Sequence, residues 1–114
     1  MGKGVYPKMI KDLPEIDIPL MGVRGWLLQG FDRQVVFFDV EPVGAIPEHS
    51  HGEQWGIVVE GEVELVVNGV KNVYRKGDSY HIPAGALHSA TFRTRFKAID
   101  VFADVNRYKP KQEK

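Results

Sequence analysis

The chain has 114 residues, with 15 basic and 15 acidic side chains, four histidines and no cysteine. A hydrophobic content of 43% closes one core but not two, and zero cysteine excludes disulfides, thiolate metal sites and a cysteine nucleophile. Balanced charge argues against nucleic acid, which needs a surplus of Lys and Arg, and equally against an anionic membrane surface.

No apolar run approaches the ~18 residues of a membrane helix, and no basic-then-apolar leader opens the chain, so a cytoplasmic protein is expected. Residues 1–33 read as N-terminal strands. Residues 34–104 follow as one barrel core, and 105–114, rich in Lys, as a solvated tail. Within the core, 12 glycines and 7 prolines across the chain leave only short segments, and none has a 3.6-residue period. They are β-like instead: Gln34 to Val40, Trp55 to Val59 and Glu62 to Val67 are rich in Val, Ile, Phe and Trp. Asn68-Gly69 follows at once, the dipeptide favoured where both central residues of a hairpin turn need positive φ. Val70 to Arg75 returns antiparallel, Gly77-Asp78 turns again, Ser79 to Ile82 continues, and Phe96 to Ala103 is the last strand. Strands so spaced, without intervening helices, predict an all-β sandwich or barrel.

Chemistry begins at His49-Ser50-His51. In extended chain, residues i and i+2 share a face, so both imidazoles can reach one ion. Glu53 and Gln54 follow as possible oxygen donors. His88 stands far along the chain, just after the turn-rich stretch Pro83-Ala84-Gly85-Ala86-Leu87. A pair from one strand and a third histidine from its neighbour would build a facial three-histidine site.

Two stretches give this constellation a context: G-A-I-P-E-H-S-H-G-E-Q-W-G-I-V-V-E-G from Gly44 to Gly61, and G-D-S-Y-H-I-P-A-G-A-L-H from Gly77 to His88. Together they resemble the two halves of the cupin motif, in the right order, over roughly Gln34 to Ala103. Gly77, Pro83, Gly85 and His88 match the second half at every spacing. Three departures stand out: glutamine at position 54 where many relatives carry glutamate, a shortened loop after His51, and Phe92 in place of an asparagine. The resemblance implies a single-domain cupin (a double-stranded β-helix, or jelly-roll, barrel). It implies a metal held by His49, His51, Gln54 and His88, with Glu53 as the rival fourth ligand. The ion expected is one divalent transition metal (Mn, Fe, Ni, Zn, Co or Cu). It also implies a homodimer, with a strand near Val5 to Ile10 crossing to the partner.

With four neutral ligands the ion would keep its full charge and favour anions such as carboxylates or enolates. Strand parity counted from Gln54 turns Gly56 and Val58 inward; counted from Glu53 it reverses. Pocket walls are expected from Phe38, Val40, Ile46, Val58, Ile82, Ala90 and Phe92. Asp100 is a candidate pocket acid, Tyr80, Arg24 and Gln34 are polar candidates, and His81 is a pocket-lining or structural residue. Glu60, Glu62 and Glu64 read as a solvated face. No nucleophile motif, phosphate loop or dinucleotide fingerprint occurs. The chemistry left is metal-centred: a small-molecule isomerase, lyase or dioxygenase, with a noncatalytic small-molecule sensor or carrier as the alternative.

Overall fold

The computed structural model describes residues 4–42 and 44–112, and among them the chain forms nine strands and one short helix. The strands are β1 (Val23–Gln29), β2 (Gln34–Val40), β3 (Ala45–His49), β4 (Gln54–Glu60), β5 (Glu62–Val67), β6 (Val70–Arg75), β7 (Ser79–Ile82), β8 (His88–Thr91) and β9 (Phe96–Phe102). They lie in two antiparallel sheets, one ordered β1-β2-β9-β4-β7 and the other β3-β8-β5-β6. The helix, α1 (Lys8–Lys11), precedes both. No helix among the described residues is long and apolar enough to cross a membrane.

Period-two alternation sets which residues face the space between the sheets. In β2 the buried positions are Gln34, Val36, Phe38 and Val40; in β9 they are Phe96, Ala98, Asp100 and Phe102. Val63 and Leu65 of β5 close the core from the opposite sheet. The Glu62 and Glu64 side chains fall on the outer face, where they pair with Arg75 and with Arg93 and Lys71, while Glu60 pairs with Lys97. The Asn68-Gly69 hairpin turn has φ of 49° and 82°, as the dipeptide predicts. Asn68 then exchanges hydrogen bonds with Leu87, tying this hairpin to the loop that delivers His88.

The two termini differ from the sequence expectation. Val5 to Ile10 is not a strand reaching outward: Pro7 caps α1, and the buried Tyr6 hydroxyl donates to the Phe38 and Ala98 carbonyls of its own barrel at 2.7 and 3.1 Å. Most of the segment after residue 104 is exposed, as expected, but it is pinned to the barrel at Tyr108. Tyr108 stacks edge-on against Phe38 and Phe102. The buried Gln34 side chain receives the Tyr108 N–H and donates to its carbonyl. Pro110 bridges to Ile16. A lone tyrosine among lysines carries no periodicity, so its anchoring depends on a partner 74 positions away.

Gly61 is where the chain leaves the first sheet for the second. Its φ is 75°, and a Cβ there would run into the Arg95 carbonyl and the Thr94 hydroxyl. Left-handed backbone and backbone contact together demand glycine. Gly61→Ala is expected to destabilise the fold by about 2–3 kcal/mol, seen as a lowered urea midpoint at unchanged m-value.

Candidate metal centre

Antiparallel pairing of β3 with β8 places His49 directly opposite His88, and their ring centroids lie 4.2 Å apart. His51, two residues further on, turns its ring back to within 5.2 Å of His49 and 4.7 Å of His88. The loop that carries it is held at both ends. The His51 carbonyl accepts the Gly85 N–H at 2.8 Å, and the Gly52 N–H donates to Asp104 Oδ2 at 2.8 Å. One ring nitrogen from each histidine lies within 4.8 Å of the others.

Each imidazole also has its second nitrogen engaged. His49 Nδ1 meets the Pro47 carbonyl at 2.8 Å, His51 Nδ1 the Gly52 carbonyl at 2.8 Å, and His88 Nδ1 the Ala86 carbonyl at 2.9 Å. A carbonyl only accepts, so all three rings carry their proton on Nδ1 and leave Nε2 as a bare lone pair. Among the described residues no side chain donates to these three nitrogens, and a cation is a group that such converging lone pairs fit. Burial lowers the His51 and His88 pKa values further, which keeps both rings neutral and ready to ligate.

Below the histidines lies a polar network built on a missing side chain. Gly56 in β4 is in register with Asp100 of β9 on one side and Tyr80 of β7 on the other. A Cβ at Gly56 would sit 2.5 Å from both the Asp100 Oδ2 and the Tyr80 hydroxyl. The bare backbone lets Tyr80 donate across it to Asp100, at 2.9 and 3.0 Å to the two carboxylate oxygens. Gln54, two residues earlier on the same face, donates its amide Nε2 to Asp100 Oδ2 at 2.6 Å. Its amide oxygen is thereby turned away from the carboxylate. Burial pushes the Asp100 carboxyl from 3.8 up to about 7, against the lowering effect of the Gln54 and Tyr80 donors. Burial and the nearby Asp100 charge also hold the Tyr80 hydroxyl well above its ordinary value, so it stays a donor.

The three histidines, Gln54, Asp100 and Tyr80 line one internal cavity of about 60 Å³. Its apolar wall includes Phe38, Val40, Ile46, Ile82, Ala90 and Phe92, together with Phe102 and Tyr108. Val58 is buried in the core but is not part of that wall. His81 lies outside it altogether. Parity in β7 turns Tyr80 and Ile82 inward and Ser79 and His81 out, where His81 Nε2 meets Glu53 Oε2 at 2.6 Å on the exposed face. Glu53 is therefore occupied at the surface, while Gly56 and Val58 follow the inward parity counted from Gln54. Arg24 pairs with Glu15 on the outside, and Gln34 is a structural clamp for Tyr108. Asp104, Arg107 and Tyr108 went unrecognised in the sequence. Asp104 had a faint signal in its place directly after the last strand; the other two stood in what reads as a polar tail.

A family model described as the cupin domain matches residues 36–102. No curated protein matches the chain in sequence. Among solved structures, an RmlC-like cupin from Shewanella frigidimarina is 27% identical, with a TM-score of 0.70 over 88% of this chain and 86% of its own. KdgF from Halomonas sp. is 20% identical, with a TM-score of 0.67 over 86% of this chain and 87% of its own. A variant of oxalate decarboxylase from Bacillus subtilis is 17% identical, with a TM-score of 0.69 over 83% of this chain but 28% of its own. The likenesses at 20% and 17% identity concern the fold alone.

The buried acid makes stability depend on pH in a defined direction. Folded Asp100 keeps its proton up to about pH 7, whereas the unfolded chain loses it near 3.8. Between these values the folded state binds more protons, so this contribution falls as pH rises and is gone above about 7. His51 and His88 act oppositely, since their lowered pKa values favour the folded state as pH rises. A comparison of metal-free wild type with Asp100→Asn isolates the carboxyl. The stability of wild type relative to the variant is expected to fall by up to about 4 kcal/mol from pH 4 to 7, measured by urea unfolding in chelator.

Proposed function

The chain belongs to the cupin family, and from that premise we propose that it binds one divalent transition metal and acts as a metal-dependent enzyme on a small oxygenated molecule. The ligands in this reading are His49, His51 and His88, with the Gln54 amide oxygen as the fourth. The observation that carries it is the set of three Nδ1–H bonds to backbone carbonyls, which leaves three bare lone pairs converging within 4.8 Å. Backbone anchoring of the remote nitrogen is the usual means of orienting ligating imidazoles. Gln54 is favoured over Glu53 because Asp100 takes its amide hydrogens, while Glu53 is bound to His81 at the surface. Imidazole and amide oxygen suit Mn, Fe, Co, Ni, Cu and Zn alike.

When bound, the metal supplies Lewis acidity toward a substrate oxygen, stabilising enolate-type charge, or, if redox-active, a meeting point for substrate and dioxygen. The chain's own residues define the rest. Histidine and amide are all neutral, so nothing in the ligand set offsets the ion's charge, and anionic oxygen donors are preferred. Phe38, Phe92 and Phe102 keep water from the inner wall. Asp100, poised between its two protonation states near neutral pH, can hold or release a proton at Oδ2 on the cavity side of Gln54. The oxalate decarboxylase relative is named for a small carboxylate substrate, which is compatible with this class. Isomerase, lyase and dioxygenase steps all fit the arrangement. A noncatalytic small-molecule-binding role shares every structural feature and is separated only by turnover.

The test has two stages. His49→Ala combined with His51→Ala is expected to abolish metal uptake, measured by elemental analysis, while circular dichroism shows the barrel intact; undiminished metal content would move the site elsewhere. Metal-replete wild type is then incubated with small oxyacids, sugar derivatives and diketones. Turnover that disappears in the double variant supports the enzyme; tight binding with every ligand recovered unchanged supports the noncatalytic role. A homodimer belongs to the same proposal, and a monomeric mass in solution would refute it.

A further inference from the structure

Arg107 is the outlier among the charged side chains. Its Nε is buried and has no hydrogen-bond partner, the one such side-chain atom among the described residues. It makes no ion pair with any described acid, although Arg24, Arg33, Arg75, Arg93 and Arg95 each do. Its guanidinium is not adrift: Cζ rests 4.6 Å from the centre of the Tyr108 ring, and Tyr108 is itself clamped by Gln34. Its Nε is enclosed without a partner although the residue as a whole is half-buried, and an enclosed unsatisfied donor is costly unless an acceptor completes it.

The surroundings say where that acceptor would be. A groove of about 450 Å³ runs along Asp17 to Leu20 on one side and Asn106 to Lys109 on the other. It ends on Ile46, Pro47 and His49. Ile46, His49 and Tyr108 line both this groove and the inner cavity, so the groove runs beside the histidine cluster. Lys109 adds a second positive charge to the groove and Asp17 the one negative. Arg107 stands beyond residues 36–102, the stretch matched by the cupin domain.

We propose that Arg107 is the anchor for a substrate carboxylate: a small carboxylic acid enters through the groove, its carboxylate paired with the guanidinium and an adjacent oxygen directed at the histidine cluster. The guanidinium is planar and carries paired N–H donors that match the two oxygens of a carboxylate, and such charge-assisted pairs are the strong ones. This inference rests on the metal reading above and narrows its substrate class from oxygenated molecules to carboxylic acids.

The experiment uses Co(II), whose visible spectrum reports ligand entry, with oxalate, inorganic phosphate and imidazole as separate probes. Wild type, Arg107→Gln and Arg107→Lys are first loaded with Co(II) and their stoichiometry measured. Equal loading with a ten-fold or greater loss of oxalate affinity in Arg107→Gln, partial recovery in Arg107→Lys, and unchanged imidazole affinity is the expected result. Imidazole, neutral and without an acceptor fork, controls for damage to the metal site. Equal oxalate affinity in loaded wild type and Arg107→Gln would overturn the role of Arg107 and leave the metal reading standing. A loss confined to phosphate would overturn the carboxylate assignment. Failure of wild type to take up Co(II) would overturn the metal reading and this inference with it.

Discussion

The pairing of β3 with β8 is the constraint on which the site depends. It sets His49 opposite His88 across two strands that belong to the smaller sheet. Neither strand is long: five and four residues respectively. Their register is irregular between Ile46 and His49, so it is not fixed by a long ladder. The loops on either side hold it instead. Gly85 N–H binds the His51 carbonyl, Asp104 binds Gly52, and Asn68 binds Leu87. A one-residue slip would turn one imidazole out of the barrel, because strand parity alternates faces at every step.

The second dependence is on β9, the middle strand of the larger sheet. Its inward residues are Phe96, Ala98, Asp100 and Phe102, and Phe96, Asp100 and Phe102 line the cavity, one acid among apolar neighbours. A buried carboxyl is tolerable there only because Gly56 leaves room for Tyr80 and Gln54 to reach it. The glycine, tyrosine, glutamine and aspartate thus form one unit drawn from three strands. Replacing any one leaves a polar group without its partner, at a cost that rises in a low-dielectric interior. The same unit orients Gln54, because its amide nitrogen is fixed on Asp100 and its amide oxygen is left free of that carboxylate.

What the sequence made legible follows from how local each signal is. The β2, β5, β6 and β7 boundaries were readable from apolar alternation and from Asn68-Gly69, both local features. The histidines were readable because their spacing matches a recurrent motif. Gln54 and Glu53 were left as rivals, since adjacent residues on opposite faces cannot be ranked without knowing the parity of the strand; His81 facing Glu53 reflects that parity in the structure. Of the two roles open to His81, pocket-lining or structural, the same parity removes the first by turning it outward opposite to Tyr80. The segment after residue 104 was illegible because Tyr108 acquires its place from Gln34, Phe38 and Phe102, all distant in sequence and each part of the barrel.

That last segment changes the electrostatic picture of the protein. Equal numbers of acidic and basic residues suggested a surface without preference, yet the charges are not evenly placed. Most acids with described partners are spent on outer-face ion pairs, as with Glu62, Glu64 and Asp39. The one fully buried acid is raised toward neutrality. Along the groove, Arg107 makes no ion pair with a described acid and shares the lining with Lys109 and Asp17. A chain that is neutral in sum therefore has two positive side chains and one negative one lining that groove, and low-dielectric walls strengthen such a local field. In the proposed reading this local excess, and not the net charge, is what draws an anion: the same side chains with Arg107 paired to an outer-face glutamate would have the same net charge without it.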